Sequence, residues 1–143
     1  YLNEKNYDVV CVDKHQTFGA GQYMNSSPDG VIHRHERTLD ETIATINGSE
    51  FFMGLGSGLS WLAWTLEKPV ILISGFSEPY SEFEIECERI HNKDVCNSCY
   101  NRHTFDPGKW DWCPDNNDFV CTKSITPDMI KPSIDKIIKK LNA

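Results

Sequence analysis

Along the first half of the chain, short apolar runs alternate with segments in which apolar residues recur every three or four positions. Asp8–Asp13 (DVVCVD) is a β-rich run suited to a strand buried on both faces. The stretch KHQTFGAGQYMNSSPDG that follows is rich in Gly, Ser and Asn and reads as loop, and Val31–His33 is expected to form a brief second strand. Thr38–Glu41 (TLDE) is a capping-box pattern. Leu39, Ile43 and Ile46 then fall at helical spacing, and Asn47-Gly48 supplies a stop. Glu50–Met53 (EFFM) reads as strand. Leu59, Leu62, Ala63 and Leu66 lie on one helical face, Pro69 limits that helix, and Val70–Ser74 (VILIS) is another buried strand. Near the end, Ile130, Ile134, Ile137, Ile138 and Leu141 make the apolar stripe of a helix over Thr126–Leu141. Pro132 lacks an N–H and crowds the preceding turn, so a break or fresh helix start is expected there. The alternation predicts an α/β fold, a parallel sheet with flanking helices.

One feature of this order carries chemistry. Between a predicted strand and helix, three glycines fall within five residues, Gly54 to Gly58. Ligands of open α/β sheets bind at the carboxyl ends of strands, where glycines let backbone approach closely. The helix that follows offers unpaired N–H groups and a positive dipole end, and Ser57 and Ser60 add hydroxyls. This suits the diphosphate of a nucleotide or nucleotide sugar. The loop is neither GxGxxG nor GxxxxGK[ST], and it lacks the P-loop lysine, which disfavours an NTPase. A tight turn with glycines for packing explains it as well, and Trp61 and Trp64 read as core residues rather than a base-stacking platform.

Composition narrows the class. The 143 residues suit one domain with one core, and no apolar run approaches the ~18 residues that span a bilayer. A formal net charge of −7 argues against a general nucleic-acid binder. The acidic balance predicts a cytoplasmic protein, and still allows one local anion site built from backbone N–H groups. Tyr1 opens directly onto polar residues without an initiator Met, so the chain is expected to be a piece of something longer.

Six cysteines change the picture more. Cys11 sits in the apolar run VVCV as a small buried thiol, and Cys87 stands apart as an unligated one. Cys96-Asn-Ser-Cys99 is a CxxC knuckle, followed by Cys113 and Cys121 in a segment with turn residues and aromatics but little regular patterning. Four thiolates there can complete a tetrahedral metal site that would help determine the local fold. Two disulfides, or a redox-active CxxC, are the alternatives. His91 and His103 are near enough to substitute as ligands but read as surface histidines.

The run from Gly30 to Pro79 resembles the nucleotide-sugar-binding half of bacterial heptosyltransferases, two-domain enzymes of the GT-B arrangement. GLGSGLSWLAW, PVILISGFSEPYSEF and CNSCYNRHTFDPGKWDWCP…CTKSITPDMI resemble, more specifically, the autotransporter heptosyltransferases. The cysteine segment is the specific part, because general heptosyltransferases lack it. The resemblance implies the C-terminal, donor-binding domain of a GT-B fold plus a four-cysteine metal-finger insertion. Residues 1–80 and 123–143 would form the Rossmann-like domain and 81–122 the finger. The full enzyme would transfer heptose, or a related sugar, from an ADP-sugar to protein serine hydroxyls of an autotransporter passenger, in the cytoplasm. Cys96, Cys99, Cys113 and Cys121 would hold one iron ion, with zinc equally suited to four thiolates. The finger would help assemble a homo-oligomer. Gly56, Ser57, Gly58, Leu59 and Ser60 would line the donor diphosphate, and Thr38 matches a position near the donor.

Two positions depart from the wider group. Ordinary heptosyltransferases carry an Asp just before the Thr-Gly of this loop and a His three residues after its Gly; here Gly56 and Trp61 take those places. The general base belongs to the other domain in this family, so none is named, although Asp13, His33 and His35 are candidates at strand ends. The fragment alone is expected to be inactive. The alternative function is a metal-stabilised oligomerisation module, with Trp110 and Trp112 on its assembly surface and no donor binding of its own.

Overall fold

The computed structural model describes residues 1–15, 17–18, 25–33, 36–104 and 113–143. His35, Trp110 and Trp112 lie outside the described residues. The chain divides into two compact units, Tyr1–Thr45 and Ile46–Ala143.

In the first unit a two-residue strand, β1 (Val10–Cys11), pairs in parallel with β4 (Ile32–His33), and β2 (Thr17–Phe18) pairs antiparallel with β3 (Asn25–Ser26). The apolar run around Cys11 therefore yields a shorter strand than its sequence suggests. Val10 and Cys11 are only partly buried, contrary to the expectation of burial on both faces. Helix α1 (Leu39–Asn47) starts at the predicted capping box. The Thr38 N–H donates to Glu41 Oε2 at 2.8 Å, and the Glu41 N–H donates to Thr38 Oγ1 at 3.3 Å. These bonds, above all those from Thr38, hold the Glu41 carboxyl below its ordinary pKa. Leu39 is 67% exposed, so the inward stripe of α1 runs through Ile43 and Ile46 without it.

The second unit is built on three parallel strands in the order β5 (Phe52–Leu55), β6 (Val70–Ile73), β7 (Cys87–Ile90). The unbroken apolar run of β6 makes it the central strand, with Val70, Ile71 and Leu72 fully buried. On the β5 edge, burial alternates between half-buried and exposed residues, as expected where one face is covered. Helix α2 (Gly58–Thr65) packs on β5 and β6, and α5 (Pro127–Leu141) packs against β7. Two short helices, α3 (Cys99–Arg102) and α4 (Val120–Lys123), belong to the cysteine segment.

Three details differ from the sequence reading. Strand β5 lies two residues later than EFFM, so Gly54 is a strand residue paired with Leu72. A Cβ on Gly54 would stand 2.8 Å from the Phe52 ring, which covers the glycine from two residues away on the same face. β7 arises in residues 81–122, so the sheet extends into the segment expected to be finger alone. Helix α5 continues through Pro132 without a break. Pro132 sits in the second turn and deprives only the Asp128 carbonyl of its donor. Burial of Ile134 and Ile137 further along offsets that loss.

Candidate functional site

The carboxyl ends of β5 and β6 open into a cleft of about 520 Å³. Its walls come from Leu55, Gly56, Ser57, Gly58 and Trp61 on one side and from Ser74–Ser77, Glu82, Tyr100 and Thr122 on the other. A cleft of this size at strand carboxyl ends is the usual ligand position in open α/β sheets. Gly56, Ser57 and Gly58 thus stand where the sequence placed them, at the N-terminus of α2. Leu59 and Ser60 are not on the wall. Ser60 is fully buried, and its hydroxyl accepts from the Ser57 N–H at 3.0 Å while donating to the Ser57 carbonyl at 2.7 Å. That serine shapes the first turn rather than facing the cleft. Thr38 belongs to the other unit, as the cap of α1.

None of the three loop glycines has a left-handed φ; among described glycines only Gly30 does. What Gly56 supplies is space. A Cβ there would fall 1.9 Å from Glu82 Oε1. The Glu82 carboxylate is held by Arg89, whose Nη2 donates to Oε2 at 2.7 Å, and by the Ser77 hydroxyl, which donates to the same oxygen at 2.9 Å. Arg89 Nη1 also donates to Ser74 Oγ at 2.8 Å. Both charged side chains are 11% exposed, so the pair is well shielded from water. Among the described residues the cleft wall carries no Lys or Arg. A bound diphosphate would be met by the α2 N–H groups and nearby hydroxyls.

Trp64 follows the core reading. It stacks on Phe83 with centroids 5.3 Å apart, and its Nε1 donates to the Ile85 carbonyl at 2.9 Å. Trp61 does not, because it meets Phe83 edge-on, stays 42% exposed and lines the cleft. Across the cleft, Phe76 and Tyr100 pair at 5.6 Å. Tyr100 follows Cys99, and its N–H donates to the Phe76 carbonyl at 2.9 Å.

All six cysteines are free thiols, with no disulfide among them. Cys99 and Cys121 are buried. Burial, then the neighbouring Asp115 charge, pushes the Cys99 thiol up to about 11. A redox nucleophile needs the opposite shift, whereas a coordinated cation favours the thiolate. Three sulfurs accept N–H donors. Arg102 Nη2 lies 3.6 Å from Cys99 Sγ, the Asn117 N–H 3.3 Å from Cys113 Sγ, and Asn117 Nδ2 3.4 Å from Cys96 Sγ. Asn117 therefore ties Cys96 to Cys113. Cys121 packs at Gly75 beside Asn97, next to the knuckle. The group whose ligand atoms all lie within 4.8 Å is nevertheless Cys99, His103 and Asp115, not the four cysteines. His103 is therefore not a bare surface histidine, since its Nε2 is 2.7 Å from Asp115 Oδ1. Hydrogen bonds from Arg102 and then His103 hold the Asp115 carboxyl below its ordinary pKa. Sequence reasoning missed Glu82, Arg89, Asp115 and Asn117, which belong to no local motif. The one clue was the missing Asp at position 56.

A parallel sheet with flanking helices and a cleft at its carboxyl end defines the second unit as an open α/β fold. No family model matches the chain. It is, however, homologous along nearly its whole length to the autotransporter heptosyltransferases, as its motifs suggested. Aah of Escherichia coli is 40% identical over 133 residues, 88% of this chain and 34% of the relative. TibC of Escherichia coli O78:H11 is 37% identical over 148 residues, 99% of this chain and 36% of the relative. BimC of Burkholderia thailandensis, an inactive autotransporter heptosyltransferase, is 30% identical over 143 residues, 96% of this chain and 34% of the relative. The crystal structure of dodecameric, iron-containing TibC in complex with ADP-D-β-D-heptose matches with TM-score 0.89 and 36% identity, covering 98% of this chain and 38% of that one. The chain thus spans about a third of the length of its relatives.

Proposed function

We propose that this chain is the donor-binding part of a glycosyltransferase that moves heptose, or a related sugar, from an ADP-sugar to serine hydroxyls of an autotransporter passenger in the cytoplasm. The observation that carries this is the cleft at the ends of β5 and β6, with Gly56-Ser57-Gly58 and the α2 N-terminus on its wall. In the transfer, an acceptor oxygen attacks the anomeric carbon, the bond to the diphosphate breaks, and ADP leaves with the electron pair. The α2 N–H groups stabilise the leaving diphosphate, and a base takes the acceptor proton. No base is assigned, for among the described residues of the cleft wall the one carboxylate, Glu82, is ion-paired with Arg89 through Oε2.

The cysteine segment would hold one iron ion, or zinc, through Cys96, Cys99, Cys113 and Cys121. Supporting this are the N–H donors aimed at three of the sulfurs, a common accompaniment of metal thiolates. The ion would clamp residues 96–121 and support a homo-oligomer of the natural-length protein. The second donor set, Cys99, His103 and Asp115, is favoured by its present geometry. The two sets are separable, because Cys113→Ser abolishes metal binding only in the first and His103→Asn only in the second. For the donor, protection of the Gly54–Ser60 amides by ADP-heptose is the expected result. Unchanged amides at saturating ADP-heptose would remove the reading.

A further inference from the structure

The Glu82 carboxylate has two inequivalent oxygens. Oε2 takes both hydrogen bonds, from Arg89 and Ser77. Oε1 has no hydrogen-bond partner among the described residues, and it is the oxygen that lies 1.9 Å from where a Gly56 Cβ would stand. Glu82 lines the cleft beside the same loop that leads into the α2 N-terminus. The cleft floor therefore carries two features of opposite polarity side by side. One is the N–H donors of Gly58 and Leu59, since those of Ser60 and Trp61 donate to the Ser57 carbonyl, and the other is a free carboxylate oxygen over Gly56. Arg89 balances the carboxylate charge, so Glu82 presents an acceptor without a net negative charge. Such an acceptor repels phosphate oxygens at short range and takes hydroxyl donors.

We propose that Glu82 is a specificity-determining residue that reads a ring hydroxyl of the nucleotide-sugar donor through Oε1. This rests on the donor-binding reading above. With the diphosphate at the α2 N-terminus, the ring beside Gly56 is one of the two attached to it, the ribose or the transferred sugar. Either ring offers the same hydroxyl chemistry. The acceptor fixes which face of that ring turns toward the sheet, and a donor lacking the hydroxyl leaves Oε1 desolvated and unpaired.

The test is calorimetric titration of the natural-length protein with ADP and with ADP-heptose. Glu82→Ala is expected to weaken binding by ~10-fold or more, the size of a hydrogen bond to a charged group. Loss for both ligands assigns the ribose hydroxyl, and loss for ADP-heptose alone assigns the sugar hydroxyl. The double variant Gly56→Asp/Glu82→Ala returns a carboxylate to the same place from the loop and is expected to recover most of the affinity. A purely structural role for the Glu82–Arg89 pair gives a different result. Arg89→Met then weakens binding as much as Glu82→Ala, and the double variant stays weak, which overturns the proposal. So does equal affinity of Glu82→Ala and Glu82→Gln with wild type. If wild type itself binds neither ligand, the donor reading falls and takes this one with it.

Discussion

Gly75, immediately after β6, joins the cleft to the cysteine segment, and replacing it with alanine is the sharpest test of how tightly the two are coupled. Its carbonyl accepts from the Ser98 N–H at 2.8 Å. An added Cβ would stand 2.8 Å from Asn97 Oδ1, 3.0 Å from Cys121 Cβ and 3.1 Å from the Cys121 carbonyl oxygen. Two of these contacts involve α4 or its backbone. The third is to a side chain whose amide donates at 2.7 Å to both the Asn92 and Val95 carbonyls. No neighbour gives way cheaply. Overpacking of this kind costs ~1–3 kcal/mol. If the geometry that brings Cys121 to the Cys96–Cys99 knuckle bears all of that strain, metal affinity falls about 5- to 150-fold. Urea unfolding followed by tryptophan emission reads the stability, and competition with a chelator reads the metal. Gly58→Ala is the control, because nothing lies within 4 Å of a Cβ there and alanine is the better helix former. The reasoning is refuted if Gly75→Ala unfolds and holds metal like wild type, or if Gly58→Ala is equally damaging.

Other expectations follow from the same geometry. Pro132→Ala restores a donor to the Asp128 carbonyl inside α5 and is expected to raise stability by ~1 kcal/mol or more, read as a higher urea midpoint. Ile137→Ala empties a site that is 5% exposed and is expected to cost ~2–5 kcal/mol by the same measurement. The pKa of His91 is lowered from 6.5 by burial first, then by Lys93 and Arg89, against the opposing pull of Glu78. Its depressed folded value means that the unfolded chain binds the proton more readily. Its contribution to stability is therefore complete above pH 6.5 and lost as pH falls through the folded value. His91→Gln is expected to flatten the pH dependence of unfolding below 6.5, and an unchanged slope would exclude the assignment.

What the sequence displayed well was local. VILIS is apolar without interruption because β6 is covered on both faces, and TLDE reads as a cap because its bonds span three residues. β7 was hidden because Glu88 and Arg89 interrupt it, Arg89 turning in to pair with Glu82, so CERI lacks the apolar signature. Gly54 misled in the other direction. A glycine reads as a strand terminator, yet the Phe52 ring supplies the cover that its missing side chain does not. The cleft followed the same division. Gly56–Gly58 announce themselves as a motif, while Glu82 reaches them only because β7 returns beside β6 and Arg89 anchors it there. Likewise CxxC is visible as spacing, whereas Asp115 and Asn117 matter through contacts that spacing does not encode.

The β5–α2–β6 segment, from Phe52 to Ile73, is a closed βαβ unit whose paired strand residues lie 18 positions apart. Its strands, its crossover helix and its glycine loop are all contained in one continuous stretch of chain. During synthesis it emerges from the ribosome before Glu82, Arg89 and the cysteines from Cys96 to Cys121 do. The phosphate-facing loop would then take shape first, and the acidic wall and the metal finger would be laid against a surface already set. Errors in the later segments would accordingly spoil recognition and metal retention while leaving the loop itself intact.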